Sequence, residues 1–129
     1  SAASDVYKRQ YKSYLDAGVK FSFGTDSPVV DINSREVIYD AVTRQSPATG
    51  EPAGGWQPHE KIPAADAVRA YTLGSAIAAG RDDEVGSLTA GKLADLAVLD
   101  TDLVTCAPED ILGAKVLATY LDGKKVYEA

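Results

Sequence analysis

Asp26 is the acidic residue whose position best suits catalysis. It follows residues 19–23, where apolar and polar side chains alternate up to Gly24 and predict a short strand. In β/α folds, catalytic side chains collect at the carboxyl ends of strands. However, an Asp before Ser27 and Pro28 is also typical of a turn whose carboxylate accepts local backbone N–H groups. On spacing alone, the turn is the favoured interpretation.

The single histidine, His59, and the single cysteine, Cys106, limit the metal chemistry of the chain. A catalytic zinc site uses about three protein ligands, often histidines, so this chain cannot build a His-rich or Cys-rich site alone. His59 lies in a Pro/Gly-rich loop, where we expect a solvated histidine. Cys106 has no basic neighbour in sequence to lower its thiol pKa, so we expect it to be inert.

Three other motifs favour structural interpretations. Residues 86–92 read G-x-x-x-x-G-K, but Leu93 stands where a phosphate-binding loop needs Ser or Thr, and a strand rather than a helix follows. We therefore expect turn glycines. The acidic residues 82–84 suit a solvated turn. Trp56 could reach a substrate from a lid, but an anchor that packs its loop onto the body is the favoured interpretation.

The predicted elements form an α/β front and a β-rich tail. The front has a helix over 11–17 closed by Gly18, the strand 19–23, and a helix over 35–44 capped by Ser34. A long loop over 46–60 and a helix from Pro63 to about residue 79 follow. The tail has a strand over 96–99 that is expected to be buried, a helical turn near 108–112, and strands 115–121 and 124–127 around Asp122-Gly123. The strand 19–23 lacks an obvious partner, which suggests a piece of a larger sheet.

Composition excludes several classes of protein. Lys and Arg number 13 against 19 Asp and Glu, which gives a net charge of −6 and disfavours nucleic-acid binding. A 45% hydrophobic content excludes disorder, and no run approaches the roughly 20 apolar residues of a membrane span. Residues 1–10 are expected to be a scar, because residues 5–10 resemble the peptide encoded by a transposon adapter of sequencing libraries. The natural sequence is then expected to begin near Tyr11, inside a longer reading frame.

Two blocks together resemble the C-terminal part of the amidohydrolase superfamily, most closely the family-3 group that includes N-substituted formamide deformylases. The first is residues 19–29, VKFSFGTDSPV, which is similar to that family's last barrel strand. The second is the ordered set from Ala70-Tyr71-Thr72 through Gly86-Ser87-Leu88, Gly91-Lys92 and Ala94-Asp95 to Val98-Leu99-Asp100. The terminal hairpin also matches, so the resemblance covers nearly everything from Tyr11 onward.

The resemblance implies a fold, a cofactor and a site. The fold is α/β: residues 11–80 would end a (β/α)8 TIM barrel, and residues 81–129 would be the C-terminal part of a small composite β-sandwich domain. Asp26 matches the aspartate after the eighth strand, which in that family is a ligand of the divalent metal, with zinc expected here, and a proton shuttle. The family's histidine ligands have no counterparts in this chain, so we expect the fragment alone to be inactive.

The resemblance therefore implies a metal-dependent hydrolase of non-peptide C–N bonds, in amides or formamides, with a small-molecule amide as substrate. The expected location is cytoplasmic, with neither a nucleic acid nor a membrane as partner, and a homo-oligomer is compatible with the sequence. Two alternatives stay open: a non-catalytic β-rich binding or assembly module, and a sister cyclic amidase or deaminase of the same superfamily.

Overall fold

The computed structural model describes residues 10–29 and 31–129, and it combines helices with one antiparallel sheet. The α-helices come first in the chain and the paired strands last. Short 3₁₀ turns lie at Pro58–Glu60 in the long loop and at Pro108–Asp110 between the first two strands, the latter where a helical turn is predicted. The predicted scar at residues 1–10 falls outside the described part except for Gln10, which stands at the N-cap of the first helix. The elements are α1 (Tyr11–Asp16), α2 (Ser34–Thr43), α3 (Ala64–Arg69), a π-helical turn (Ala70–Gly74), α4 (Ser75–Ala78), β1 (Leu96–Leu99), β2 (Val116–Leu121) and β3 (Lys124–Glu128).

Gly18 ends α1 as predicted. Its φ of +71° is in the left-handed region, which glycine adopts without steric cost. The Gly18 N–H donates to the Leu15 carbonyl at 3.0 Å, and the Val19 N–H donates to the Tyr14 carbonyl at 2.9 Å. This pair of bonds is a Schellman motif, which satisfies carbonyls at the end of a helix. The motif reverses the chain into the segment that leads to Asp26.

The strand predicted over residues 19–23 is not formed. The segment has no strand beside it among the described residues, since β1, β2 and β3 pair only with one another. It lies instead against the helix that follows the long loop: the Phe23 N–H donates to the Ala70 carbonyl at 3.2 Å, and the Ser75 hydroxyl donates to the Phe23 carbonyl at 3.0 Å. Without a neighbouring strand, helix groups take these backbone bonds.

Asn33, rather than the predicted Ser34, caps α2. Its side-chain oxygen accepts the Arg35 N–H at 3.2 Å, so the helix begins one residue earlier than expected. The α2 face that contains Ile38 and Ala41 is buried. It joins a core that also takes residues from the long connection between β1 and β2. The buried members of this core are Ile38, Tyr39, Ala41, Ile62, Ala67, Leu103, Ile111 and Ala114.

The helix after the long loop runs as predicted but contains an unpredicted π turn. Pro63 stands at the N-cap, and Gly80, with a φ of +65°, follows the last helical residues. Within the helix, the Ala70 carbonyl accepts bonds from the Phe23 N–H and from the Ser75 hydroxyl at 3.3 Å. Because the Phe23 N–H from outside the helix and the Ser75 side chain within it hold this carbonyl, the regular α-helical bonding pattern is interrupted there.

The tail is a three-stranded antiparallel sheet in the order β1-β2-β3. Asp122 and Gly123 have φ values of +49° and +73°, so the predicted Asp-Gly hairpin between β2 and β3 is confirmed. The prediction that residues 96–99 form a strand is also confirmed, but its predicted burial is wrong: Val98 is 41% exposed. No described element covers that side of β1, so its apolar side chains stay accessible.

Candidate functional site

Asp26 lies where the segment anchored on the helix ends in a turn. Its own φ is +53°, an unusual value for a residue with a side chain, and its carbonyl accepts the Val29 N–H at 2.9 Å. Thr25, immediately before it, is buried, whereas Asp26 is exposed. The anchored backbone therefore carries this carboxylate to the surface.

Aromatic packing fixes the approach to Asp26. The rings of Phe21 and Phe23 have centroids 5.4 Å apart, and Phe23 meets the ring of Tyr11 edge-on at 5.0 Å. Gly74 lies directly under this segment, since a Cβ at that position would be 2.5 Å from the Phe21 carbonyl oxygen. Only a glycine allows this close approach of helix and segment.

The carboxylate of Asp26 makes no hydrogen bond or ion pair within residues 10–29 and 31–129. An aspartate that stabilises a turn with its side chain accepts local hydrogen bonds, as two other aspartates show. Asp31 accepts the Ile32 N–H at 2.7 Å, and Asp102 accepts the Val104 N–H at 2.9 Å and the Thr105 hydroxyl at 2.8 Å. These two bonds to Asp102 hold the pKa of its carboxyl below the usual value. The turn at Asp26 is therefore held by backbone bonds, without help from the Asp26 side chain.

Asp26 has no companion metal ligands in the part of the chain that the structure describes. No group of three or more His, Cys, Asp or Glu side chains is close enough there to hold an ion. His59 is not brought near Asp26: its side chain is 72% exposed, and its Nε2 lies 3.9 Å from Glu60 Oε1. The prediction of a solvated loop histidine is confirmed.

Glu60, which sequence reasoning did not single out, ties the long loop to α1. It is 3% exposed, and its carboxylate accepts both the backbone N–H of Ser13, at 3.0 Å, and the Ser13 hydroxyl. Burial raises the pKa of this carboxyl, but the two bonds from Ser13 and the charge of His59 outweigh it, so that the pKa is lowered overall. These contacts join residues 47 positions apart, which no local pattern signals.

Trp56 is the predicted anchor of the same loop. Its backbone N–H donates to the Arg44 carbonyl at 2.8 Å, and its ring lies 5.1 Å from the guanidinium carbon of Arg44. Arg44 itself was not predicted as special, because an arginine at a helix end is common. Only the tertiary contacts reveal that it is buried.

The glycine motif at residues 86–92 and the acidic run at residues 82–84 both form turns, as predicted. Gly86 and Gly91 have φ values of +87° and +98°, and the chain reverses between Glu84 and Leu93, whose N–H donates to the Glu84 carbonyl at 2.9 Å. Lys92 bonds backbone carbonyls of that reversal, which leaves no phosphate cradle. In the acidic run 82–84, Glu84 pairs with Arg81 at 2.9 Å in an exposed turn.

The Cys106 thiol is half-buried, and its environment opposes ionisation. Burial and the negative charge of Asp110 raise its pKa. A thiol of this kind is a poor nucleophile, because the thiolate is the reactive form. This environment agrees with the expectation of an inert cysteine, which stays a prediction.

The sequence profile of the Amidohydrolase family matches residues 3–127, nearly the whole chain. The chain belongs to the amidohydrolase family. Among curated proteins, this amidohydrolase chain is 43% identical over 117 residues to the N-substituted formamide deformylase of Arthrobacter pascens, covering 91% of the chain and 21% of that protein. It is 39% identical over 117 residues to the protein LONG AFTER FAR-RED 3 of Arabidopsis thaliana, covering 91% of the chain and 19% of that protein.

The chain thus spans about a fifth of the length of these curated relatives. Among solved structures, it resembles E. coli guanine deaminase with a TM-score of 0.66 and 24% identity, over 92% of this chain and 30% of that one. This likeness shows a shared mixed helix-and-sheet fold. Among the described residues, no helix combines the length and the apolar character that a membrane crossing demands.

Proposed function

We propose that this chain forms part of a metal-dependent amidohydrolase that cleaves non-peptide C–N bonds in amides or formamides, with Asp26 as a metal ligand and proton shuttle. The observation that carries the proposal is the Asp26 carboxylate, which is exposed at the end of an anchored segment and makes no bond to the described residues. Membership of the amidohydrolase family and the 43% identity to a formamide deformylase support the reaction class.

The proposal includes the larger architecture. Residues 11–80 would form the end of a (β/α)8 barrel and residues 81–129 part of a β-sandwich domain. Residues 19–23 would then pair as the last barrel strand, for which their alternating pattern and their position before Asp26 are suited. The exposed apolar side chains of the sheet, such as Val98, support a covered position for it in that architecture.

The side chains near Asp26 supply only part of a metal site. Carboxylate oxygen is an accepted ligand of zinc, and Asp26 has its oxygens free of bonds to the described protein. One carboxylate does not complete a site that needs about three protein ligands, and the described residues bring no cluster to Asp26. Asp26 is therefore proposed as one ligand among several, and the chain by itself is expected to be inactive.

The chemical role of Asp26 follows from its carboxylate. A divalent ion, when bound, lowers the pKa of water at the site towards neutrality. Asp26 accepts the proton of the attacking water as the bond to the carbonyl carbon forms. It then returns this proton to the leaving nitrogen, so that the carbon–nitrogen bond breaks to an acid and an amine. A small-molecule amide as substrate and a cytoplasmic location belong to the proposal, the latter because a chain with one cysteine needs no oxidising compartment.

The test places residues 11–129 into the N-substituted formamide deformylase of Arthrobacter pascens in exchange for the matching region. We expect the zinc-loaded chimera to hydrolyse formamides, and Asp26→Asn to lower kcat by about 10²–10⁴-fold, the usual contribution of a positioned acid–base group. Asp31→Asn is the matched control, because the Asp31 carboxylate bonds its own turn. An Asp26→Asn chimera with undiminished kcat and unchanged zinc content would overturn the assignment.

A further inference from the structure

Arg44 is a buried cation whose terminal nitrogens lack acceptors. It is 4% exposed and stands after the last residue of α2, with a φ of +61°. Its Nε donates to the Trp56 carbonyl at 3.2 Å. Nη1 and Nη2 are both buried, and neither has a hydrogen-bond partner among the described residues. Four N–H donors of one side chain are therefore unused.

Aromatic rings offset only part of the cost of this burial. The guanidinium carbon of Arg44 lies 4.8 Å from the centroid of the Tyr11 ring and 5.1 Å from that of Trp56. Such contacts stabilise the positive charge through the ring quadrupole. They supply no oxygen to Nη1 or Nη2, and a buried charged donor without an acceptor is among the costliest groups in a folded protein. The geometry thus calls for an acceptor that the described residues do not contain.

A cavity of about 410 Å³ adjoins Arg44, and it is lined also by Asp40, Glu51 and Trp56. Neither acid forms an ion pair with Arg44. Glu51 is held by its own loop, since its Oε2 accepts the Ala53 N–H at 3.0 Å, and Asp40 has an interaction of its own. The cavity therefore adjoins a cation whose Nη atoms have no acceptor among the described residues.

We propose that Arg44 binds a carboxylate through Nη1 and Nη2. The planar fork of a guanidinium matches the two oxygens of a carboxylate and pairs with them in bidentate fashion. A phosphate fits the same fork, but its second negative charge is repelled by Glu51, so a monovalent carboxylate is preferred. The carboxylate belongs either to a small molecule or to a polypeptide side chain, and the chemistry at Arg44 is the same for both. The cavity shares no lining residue with the turn at Asp26.

The experiment observes the arginine side-chain N–H groups of the 129-residue chain by NMR, with ¹⁵N-labelled arginine. Sodium acetate is titrated against sodium chloride at matched ionic strength, and inorganic phosphate is titrated in parallel. Arg44→Lys keeps the charge and removes the fork. Arg35→Lys is the matched control on the same helix, because the Arg35 guanidinium already bonds Asn33 Oδ1, at 2.8 Å, and the Ala114 carbonyl.

We expect saturable shifts of the Arg44 Nη signals with acetate and not with chloride, and unchanged affinity in Arg35→Lys. Arg44→Lys has no Arg44 signal, so acetate binding to this variant and to the parent is compared by the fluorescence of Trp56, the single tryptophan, which lines the cavity. The affinity should be weakened by about tenfold or more in Arg44→Lys. Nη signals that are already slowly exchanging, and that show a through-bond coupling to a side-chain carboxylate before any addition, would support the proposal with a polypeptide carboxylate as the occupant. Rapidly exchanging Nη signals that ignore acetate would overturn it. Tighter binding of phosphate than of acetate would overturn the preference for a carboxylate.

Discussion

Asp26 and Glu60 are both carboxylates on loops, but the fold gives them opposite surroundings. Glu60 is buried and accepts two bonds from Ser13, so it joins the long loop to α1. Asp26 is exposed and accepts no bond from the described residues, although its backbone is firmly anchored. The comparison separates an acid that stabilises the fold from an acid that is available for chemistry. Loss of the first should cost stability, and loss of the second should cost only activity.

Gly74 supports the segment before Asp26, and a side chain at this position should destabilise the protein. In Gly74→Ala the new Cβ would lie 2.5 Å from the Phe21 carbonyl oxygen. Alanine ordinarily stabilises a helix interior by up to about 1 kcal/mol relative to glycine, but forced overlap with backbone costs about 1–3 kcal/mol and should dominate. We expect a lower free energy of unfolding in urea and faster hydrogen exchange at the Phe23 amide.

Gly24→Ala is the control for this substitution, because its Cβ would meet no atom within 4 Å and its φ is not in the left-handed region. Its free energy of unfolding should stay within about 0.5 kcal/mol of the parent. A stabilised Gly74→Ala protein would mean that the segment before Asp26 is not held against the helix.

Glu60→Ala tests the stabilising acid directly. It leaves the Ser13 N–H and hydroxyl without their partner in a partly buried place, which should cost about 1–3 kcal/mol. Asp26→Ala is the matched comparison and should change the free energy of unfolding by less than about 0.5 kcal/mol. Both are measured by urea denaturation of the 129-residue chain, and equal losses in the two variants would erase the distinction between the acids.

The smallest expected effect is a pH dependence that originates at Glu60. Its pKa is lowered in the folded state, so its contribution to stability is fully present above the ordinary glutamate value of about 4.3. The contribution is lost as the pH falls below that value and through the lowered folded pKa. The midpoint of thermal unfolding should therefore fall less between pH 5 and pH 3 in Glu60→Gln than in the parent. Parallel curves for the two proteins would contradict this assignment.

Local rules predicted the parts of the fold that depend on neighbouring residues. Gly18 ends α1, Gly80 follows the second helical region, and Asp122-Gly123 joins β2 to β3, because each position needs a positive φ that glycine or aspartate can adopt. The one-residue errors at Asn33 and Pro63 have the same origin, since adjacent residues were equally suited to cap the helices.

Local rules could not predict contacts between residues that are distant in the sequence. The strand expected over residues 19–23 depends on a partner that the described residues do not supply. The π turn is associated with a donor from that same segment, the Phe23 N–H. Glu60 and Arg44 have ordinary sequence surroundings, and only their burial against Ser13, Tyr11 and Trp56 distinguishes them. For Asp26, the residue type and its position after an alternating segment were sufficient to nominate it, whereas its role stays a prediction.

The π turn at Ala70–Gly74 sets the rotational phase between the two halves of its helix. Each residue of an α-helix advances the side-chain direction by about 100°. A π turn takes about one residue more than an α turn for the same rotation, so regular α-helical winding of these same residues would rotate Ser75–Ala78 relative to Ala64–Arg69 by about that angle. Ala76, which now approaches Gly86 so closely that a Cβ there would lie 2.5 Å from its own, would then turn away from the reversal that precedes β1. The extra residue that the π turn absorbs thus aligns the helical front with the sheet.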